Sequence, residues 1–234
     1  MSGLIESATA ILSASQRRLE VAAHNVANIS TPGYKRQVGF SALVGADVPN
    51  GAVEPGFAIG RDFAPGKLTS TSNPLDIAID GDGMFQLRAG DRLIYTRQGQ
   101  FSRAADGTVV TPQGYVLQQS GGGDLVLDSA QVSILQDGTI LDDGVPVARL
   151  AAFSGDPATL TPVGESYFAA PGGGMESVTD ATFRQGMVEA SNVEIGDEMV
   201  TMMASLRQSE VGARLVQTYD QLLGSAISTF GGGR

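Results

Sequence analysis

Residues 5–36 read IESATAILSASQRRLEVAAHNVANISTPGYKR, and the spacing inside this stretch decides what the chain can fold into. Ile5, Ala8, Leu12, Ser15, Leu19, Ala22, Val26 and Ile29 alternate at intervals of three and four, and seven of the eight are apolar. That period lines one face of an α-helix. Leu4 and Ile11 widen the stripe. Thr31-Pro32-Gly33-Tyr34 stops it, because Pro32 supplies the fixed φ of the second turn position and Gly33 the positive φ that a type II turn needs at the third. From residue 4 to 29 the helix spans about 39 Å at 1.5 Å per residue.

The other end of the chain repeats the pattern. Ile195, Met199, Met202, Leu206, Ser209, Ala213, Val216, Asp220, Leu223, Ile227 and Phe230 keep 4-3 spacing, with nine of the eleven apolar, and Gly231-Gly232-Gly233 closes the run. Ser191-Asn192-Val193-Glu194 has the form of a capping box, which places the helix start there. A helix of this extent approaches 55 Å at ~1.5 Å per residue. Gly196 and Gly212 each cost roughly 1 kcal/mol against Ala in a helix interior, so another backbone is expected to approach at both. The two stripes together predict an arm of paired, coiled-coil-like helices.

Between them the sequence reads as all-β. Short apolar segments (Leu75–Ile79, Met84–Leu87, Leu93–Thr96, Thr108–Val110, Tyr115–Leu117, Leu125–Leu127, Val132–Leu135, Val145–Phe153) alternate with Gly81-Asp82-Gly83, Asp106-Gly107, Asp137-Gly138 and Asp143-Gly144. Such dipeptides are hairpin turns. The fold class is therefore α+β, in three parts: residues 1–36, 37–180 and 181–234. Charge divides the same way. The first part holds four basic and two acidic groups, the last four and six, and the middle seven against seventeen, so the middle carries the whole net charge of −10. A centre of that kind faces water and repels its own copies.

Composition removes several functions from the 234 residues. With no Cys and one His, disulfides, thiolate metal sites, a cysteine nucleophile and multi-histidine metal sites are excluded. The acidic balance is wrong for binding a nucleic-acid backbone, which needs clustered Lys and Arg. No apolar run approaches the ~18 residues of a membrane span, and residues 1–10 lack the positive start of a cleaved secretory leader. Asp76, Asp80, Asp82 and Asp91 are the residues that could suggest calcium or acid–base chemistry. A calcium loop begun at Asp80 would put Phe85 where glycine is needed, so that loop fails; as a carboxylate pair for glycoside hydrolysis they remain compositionally possible. Aspartates beside glycine are otherwise turn formers. His24 has no visible catalytic partner and reads as helix packing, and Met187, Met199, Met202 and Met203 read as adaptable packing residues. Neither a cofactor nor an enzyme activity is expected.

The block Ala22–Arg36 resembles the N-terminal signature of the bacterial flagellar rod and hook proteins, matched position by position at Asn25, Ala27, Asn28, Thr31, Gly33, Tyr34 and Lys35. His24 departs from the polar residue usual there. Gly186 to Val193, with Ser191, Asn192 and Val193, is similar to the family's C-terminal block, followed by Glu198-Met199-Val200 and Arg207. Asn73–Phe85, Tyr95–Gly99, Gly107 and Gly114-Tyr115 supply a third match. The resemblance implies a structural subunit of an axial helical assembly in the cell envelope, exported unfolded through the flagellar type III apparatus without a cleaved signal peptide. It implies terminal helices packed into the inner tube of a periplasmic rod, with copies of the chain and neighbouring rod proteins as partners. The short link from Arg36 to about Lys67 favours a proximal-rod member over a distal-rod or hook one; an exported β-rich carbohydrate-binding or hydrolytic protein is the alternative of another class. Ile5, Leu12, Leu19, Val26, Ile195, Met199, Met202, Leu206, Val216 and Leu223 are the expected assembly seam.

Overall fold

The computed structural model describes residues 2–44, 54–129 and 131–231. They form two compact units. One gathers the described residues within Met1–Ala27, Gln37–Asp62 and Val193–Arg234, the other Asn28–Arg36 and the described residues within Phe63–Asn192. Charge and compactness therefore divide the chain at different places: the segment just after residue 36 groups with the helices, and the residues leading up to Asn192 group with the strands.

The first unit is built on α1 (Ser2–Ala27) and α2 (Ile195–Gly231), with an antiparallel hairpin of Gln37–Val44 and Glu54–Arg61. The hairpin lay outside the strand segments expected from sequence. The helix α1 stops two residues short of Ile29, since Asn28 already starts a turn in which Thr31 N–H donates to its carbonyl at 3.0 Å. The first bond of α2 runs from Glu198 N–H to the Glu194 carbonyl at 3.2 Å. Glu194, not Ser191, is thus the N-cap, and the capping-box reading placed the start three residues early. Asp197 and Glu198 then put negative charge in the first turn, where the helix dipole favours it.

The helices α1 and α2 lie against each other and run antiparallel, as three contacts establish. Leu12 sits at Gly212, the Ser15 and Ser209 hydroxyls are 2.7 Å apart, and Arg18 donates to the Gln208 side chain at 3.0 Å. The residues that vanish into this face are small or polar. On α1 they are Ala8, Ser15 and Ala22, and on α2 Glu198, Ser205 and Gly212, each set repeating every seven residues. Half-buried Met202, Ser209, Val216 and Tyr219 complete the α2 stripe. The expected stripe shares Met202, Ser209 and Val216 but took Met199, Leu206 and Ala213, one residue along from the buried line, because those are more apolar. At Gly212 the close approach is by a side chain and not by the backbone expected there: a Cβ would lie 2.9 Å from Leu12 Cγ. Nothing lies within 4 Å of a Cβ placed at Gly196, so its close-approach expectation fails.

In the second unit a seven-stranded antiparallel sheet runs in the order Thr161–Pro162, Tyr167–Ala169, Arg92–Thr96, Phe85–Ala89, Val116–Leu117, Val109–Val110, Ser102–Arg103. A three-stranded sheet (Val132–Ile134, Thr139–Asp142, Val145–Arg149) and the pairs Ile77–Asp80 with Thr182–Gln185, Leu68–Ser70 with Met187–Glu189 and Ala152–Ser154 with Glu176–Val178 complete it. Its main core cluster includes Ile77, Ile79, Phe85, Leu87, Phe101, Leu117, Leu125, Ile140 and Phe183, and Met84, Tyr95 and Phe168 form a second. The two last strand pairings of the N-terminal half, at Leu68–Ser70 and Ile77–Asp80, recruit residues 182–189 from the far end of the chain, so the sheet region is completed by a segment over 100 positions away.

Gly212→Val should overpack the α1–α2 face and lower stability by about 1–3 kcal/mol; an unchanged thermal midpoint by circular dichroism would show that the helices do not depend on this approach.

Candidate functional site

The three sequence blocks singled out above meet in the second unit at one carboxylate. Lys35 follows the turn Thr31–Tyr34, Arg97 follows the strand Arg92–Thr96, and Glu189 ends the strand Met187–Glu189. Glu189 Oε1 accepts from Lys35 Nζ at 2.8 Å and from Gly66 N–H at 3.0 Å; Oε2 accepts from Arg97 Nε at 2.6 Å. The Lys35 and Glu189 side chains are 1% and 2% exposed. Burying an ion pair costs several kcal/mol per ion and is repaid only when every remaining donor finds a partner. Here each does. Lys35 Nζ also donates to the Phe63 and Ala64 carbonyls, and the Arg97 guanidinium to those of Ile79, Gly81 and Gly83. Lysine has three donors and these contacts occupy them; arginine has five, four of them in these bonds and the last on the second terminal nitrogen, which lies 2.6 Å from Glu189 Oε2. By contrast Arg88–Asp124, at 2.6 Å, lies on the surface, where such pairs contribute little. Hydrogen bonds from Arg88 and Gln118 hold the Asp124 carboxyl below its ordinary range.

The neighbouring motif residues hold the backbone around this cluster. Tyr34 N–H closes the turn on the Thr31 carbonyl at 3.2 Å with Gly33 at φ +67°, the positive φ expected there. Gly33 also has no room for a Cβ, which would overlap the backbone at Arg97 and Gln98, and its N–H donates to the Glu189 carbonyl at 2.8 Å. The Thr31 hydroxyl donates to Asn28 Oδ1. Asn192 receives Arg36 N–H on its Oδ1 at 2.7 Å and donates its Nδ2 to the Ala64 carbonyl at 3.0 Å. In the helical unit Asn25 does the same for Gln37, giving to its carbonyl and taking its N–H at 2.9 and 2.8 Å. Tyr34 and Val193 are buried, Ser191 is half-buried, and Ala27 is exposed. His24 packs in the helical unit with Nδ1 3.2 Å from the Gln37 amide.

The expected seam residues separate into two groups. Leu12, Leu19, Val26, Met202 and Val216 are half-buried; Ile5, Ile195, Met199, Leu206 and Leu223 are exposed. Alongside them α2 exposes a second set that the sequence reading missed: Val200, Val211, Leu215 and Leu222. The signal was present in their own 11-4-7 spacing, which extends helical periodicity to a second side of α2.

The aspartates are structural or solvated. Asp80 pairs with Arg184 at 3.0 Å on the surface, Asp76 accepts from the Asn73 amide at 2.9 Å, and Asp82 and Asp91 are exposed in turns. Among the described residues no group of three His, Cys, Asp or Glu is placed to hold a metal ion, and no helix is long and apolar enough to cross a membrane.

Three family models match the chain: flagella basal body rod protein over residues 5–35, flagellar hook protein FlgE/F/G D1 domain over 78–141, and flagellar basal body rod FlgEFG protein C-terminal over 184–229. The flagellar basal-body rod protein FlgF of Caulobacter vibrioides is 30% identical across 92% of this chain and 93% of its own length. The chain belongs to the flagellar basal-body rod proteins. The FlgF protein of Escherichia coli K12 is 31% identical over 93% and 95% of the two chains, and the rod protein FlgG of Bacillus subtilis 28% over 91% and 93%. Lys35 lies in the last position of the N-terminal match and Glu189 within the C-terminal one, so the ionic cluster joins all three matched regions of this rod-family chain.

Glu189→Ala should leave two buried cations without a counter-charge and cost about 3–5 kcal/mol, whereas Lys35→Met leaves the Arg97 pair intact and should cost less. Urea denaturation followed by circular dichroism tests the order of the two variants.

Proposed function

We propose that this chain is a structural subunit of the proximal part of the flagellar rod, polymerising into the axial drive shaft of the basal body and transmitting torque. The observation that carries the reading is the surface of the helical unit. Small residues are spent on the α1–α2 contact while Met199, Val200, Leu206 and Leu222, each about half or more exposed, are left facing outward. A solvated helix keeps a polar outer face, and contiguous exposed apolar surface marks an association site. In a chain of the rod family those faces are covered by other subunits. The helices would act there as a coiled-coil-like arm, with residues 1–36 and 181–234 supplying the shaft and 37–180 its acidic outer surface. Ile5, Leu12, Leu19, Val26, Ile195, Met199, Met202, Leu206, Val216 and Leu223 are the proposed contact residues, and Asn25 to Lys35 with Ser191 to Val193 hold the helix roots.

A shaft segment needs no active site, and its mechanism is mechanical. The partners are copies of this chain and neighbouring rod proteins, reached after export by the flagellar type III apparatus. Relatives of both the FlgF and FlgG types match at similar identity; the short link after Arg36 supports the proximal type.

Deleting the gene should leave basal bodies that stop within the rod, without hook or filament, in electron micrographs, and the stopping point separates proximal from distal. Intact flagella would overturn the reading. Leu206→Asp should give a folded chain that does not restore swimming.

A further inference from the structure

We infer that Met199 and Met203 form a reversible oxidation site on the outer surface of α2, an inference independent of the rod-subunit reading. The chain has no cysteine, so its sulfur chemistry rests with seven methionines, six of them among the described residues. Those six differ in access. Met84 is 7% exposed and belongs to the second core cluster of the β-rich unit, with Met175 packed against it. Met187 is half-buried in its strand, and Met202 half-buried on the stripe of α2 that meets α1. Met199 and Met203 are 51% and 53% exposed. A thioether carries no proton to lose, so access for the oxidant decides which of them reacts.

The surroundings of the pair favour the reaction and its product. Met199 and Met203 stand four positions apart, which puts one above the other on a single helix face. Aromatic rings in contact with a methionine sulfur would cover it, but the nearest ring on α2 belongs to Tyr219, far along the helix. Hydrogen peroxide is the oxidant of fitting size and chemistry. A sulfur lone pair takes one peroxide oxygen as the O–O bond breaks; the departing hydroxide collects the remaining proton and leaves as water. Sulfur loses two electrons and peroxide gains them, giving a sulfoxide. The new S–O group is polar, and exposed Arg207, four positions beyond Met203, brings guanidinium donors within its reach. Neither methionine lies on the buried line of Glu198, Ser205 and Gly212. Oxidation therefore turns an apolar strip polar without entering the α1–α2 contact, and methionine sulfoxide reductases, one for each epimer, restore it.

The test is peroxide treatment of the purified full-length chain followed by trypsin and tandem mass spectrometry. The fragment from Gln185 to Arg207 carries Met187, Met199, Met202 and Met203, so exposed and half-buried methionines are compared within one peptide. Met199 and Met203 should gain oxygen several-fold faster than Met187 and Met202, with Met84 slowest, and urea should abolish the differences. The oxidised chain should keep its circular dichroism spectrum and thermal midpoint, and elute earlier from a hydrophobic-interaction column. Both reductases together should return it to the original elution position. A chain carrying Met199→Leu and Met203→Leu should show no such change in elution after the same treatment. Met187 or Met202 reacting as fast as the pair in the folded chain overturns the inference. So does a thermal midpoint that falls in step with oxidation at 199 and 203, or an elution change that persists in the double variant. Intact flagella after deletion of the gene would overturn the rod reading and leave this one standing.

Discussion

The carboxylate of Glu189 is the constraint on which the β-rich unit depends. It lies out of water between Lys35 and Arg97, residues that arrive from opposite ends of a long stretch of chain. A lone buried carboxylate or ammonium is strongly unfavourable, so neither cation is at home in this site without Glu189, nor Glu189 without a cation. Local strand formation does not close the unit. The segment before Arg36 and the strand ending at Glu189 must both dock, and the Gly33–Glu189 backbone bond joins them within this unit.

The helical unit follows a different rule. Its internal contact centres on alanine, serine and glycine, which bury little apolar area, with half-buried Leu12, Met202 and Val216 beside them. Large side chains stand outside it on both flanks of α2. Part of the apolar surface of α2 thus finds no contact within the described residues, while the charge excess of the middle segment favours solubility.

Much of this was legible in the sequence, with errors that have a common cause. The helices, the Pro32-Gly33 turn and about half of the central strands, Ile77–Asp80, Phe85–Ala89 and Arg92–Thr96 among them, follow from period and turn chemistry, which are local. The expected α2 stripe runs one residue off at Met199 and Leu206 because hydrophobicity alone does not mark the inner face; α2 exposes large apolar side chains on its outer side as well. The hairpin at Gln37–Val44 and the strand at Met187–Glu189 were missed since each is defined by its pairing. Lys35 was recognised as a motif residue, yet its partners could not be: Arg97 and Glu189 lie 62 and 154 positions away. The available clue was a single charge inside each of two motif blocks, Tyr95–Gly99 and the otherwise apolar Gly186–Ala190.

The hydroxyl pair between Ser15 and Ser209 has a mechanical consequence. A smooth leucine face would let two antiparallel helices creep past each other under axial load, since one apolar contact replaces the next at little cost. Displacing this pair by one turn, about 5.4 Å, would carry Ser209 opposite a leucine at position 12 or 19 and break the hydroxyl–hydroxyl bond, leaving Ser15 only the Leu12 carbonyl, a loss of about 0.5–1.5 kcal/mol. Gly212 would at the same time leave the one notch that accepts Leu12. The serine pair and the glycine notch together act as a detent, so that the two helices bear shear as one element.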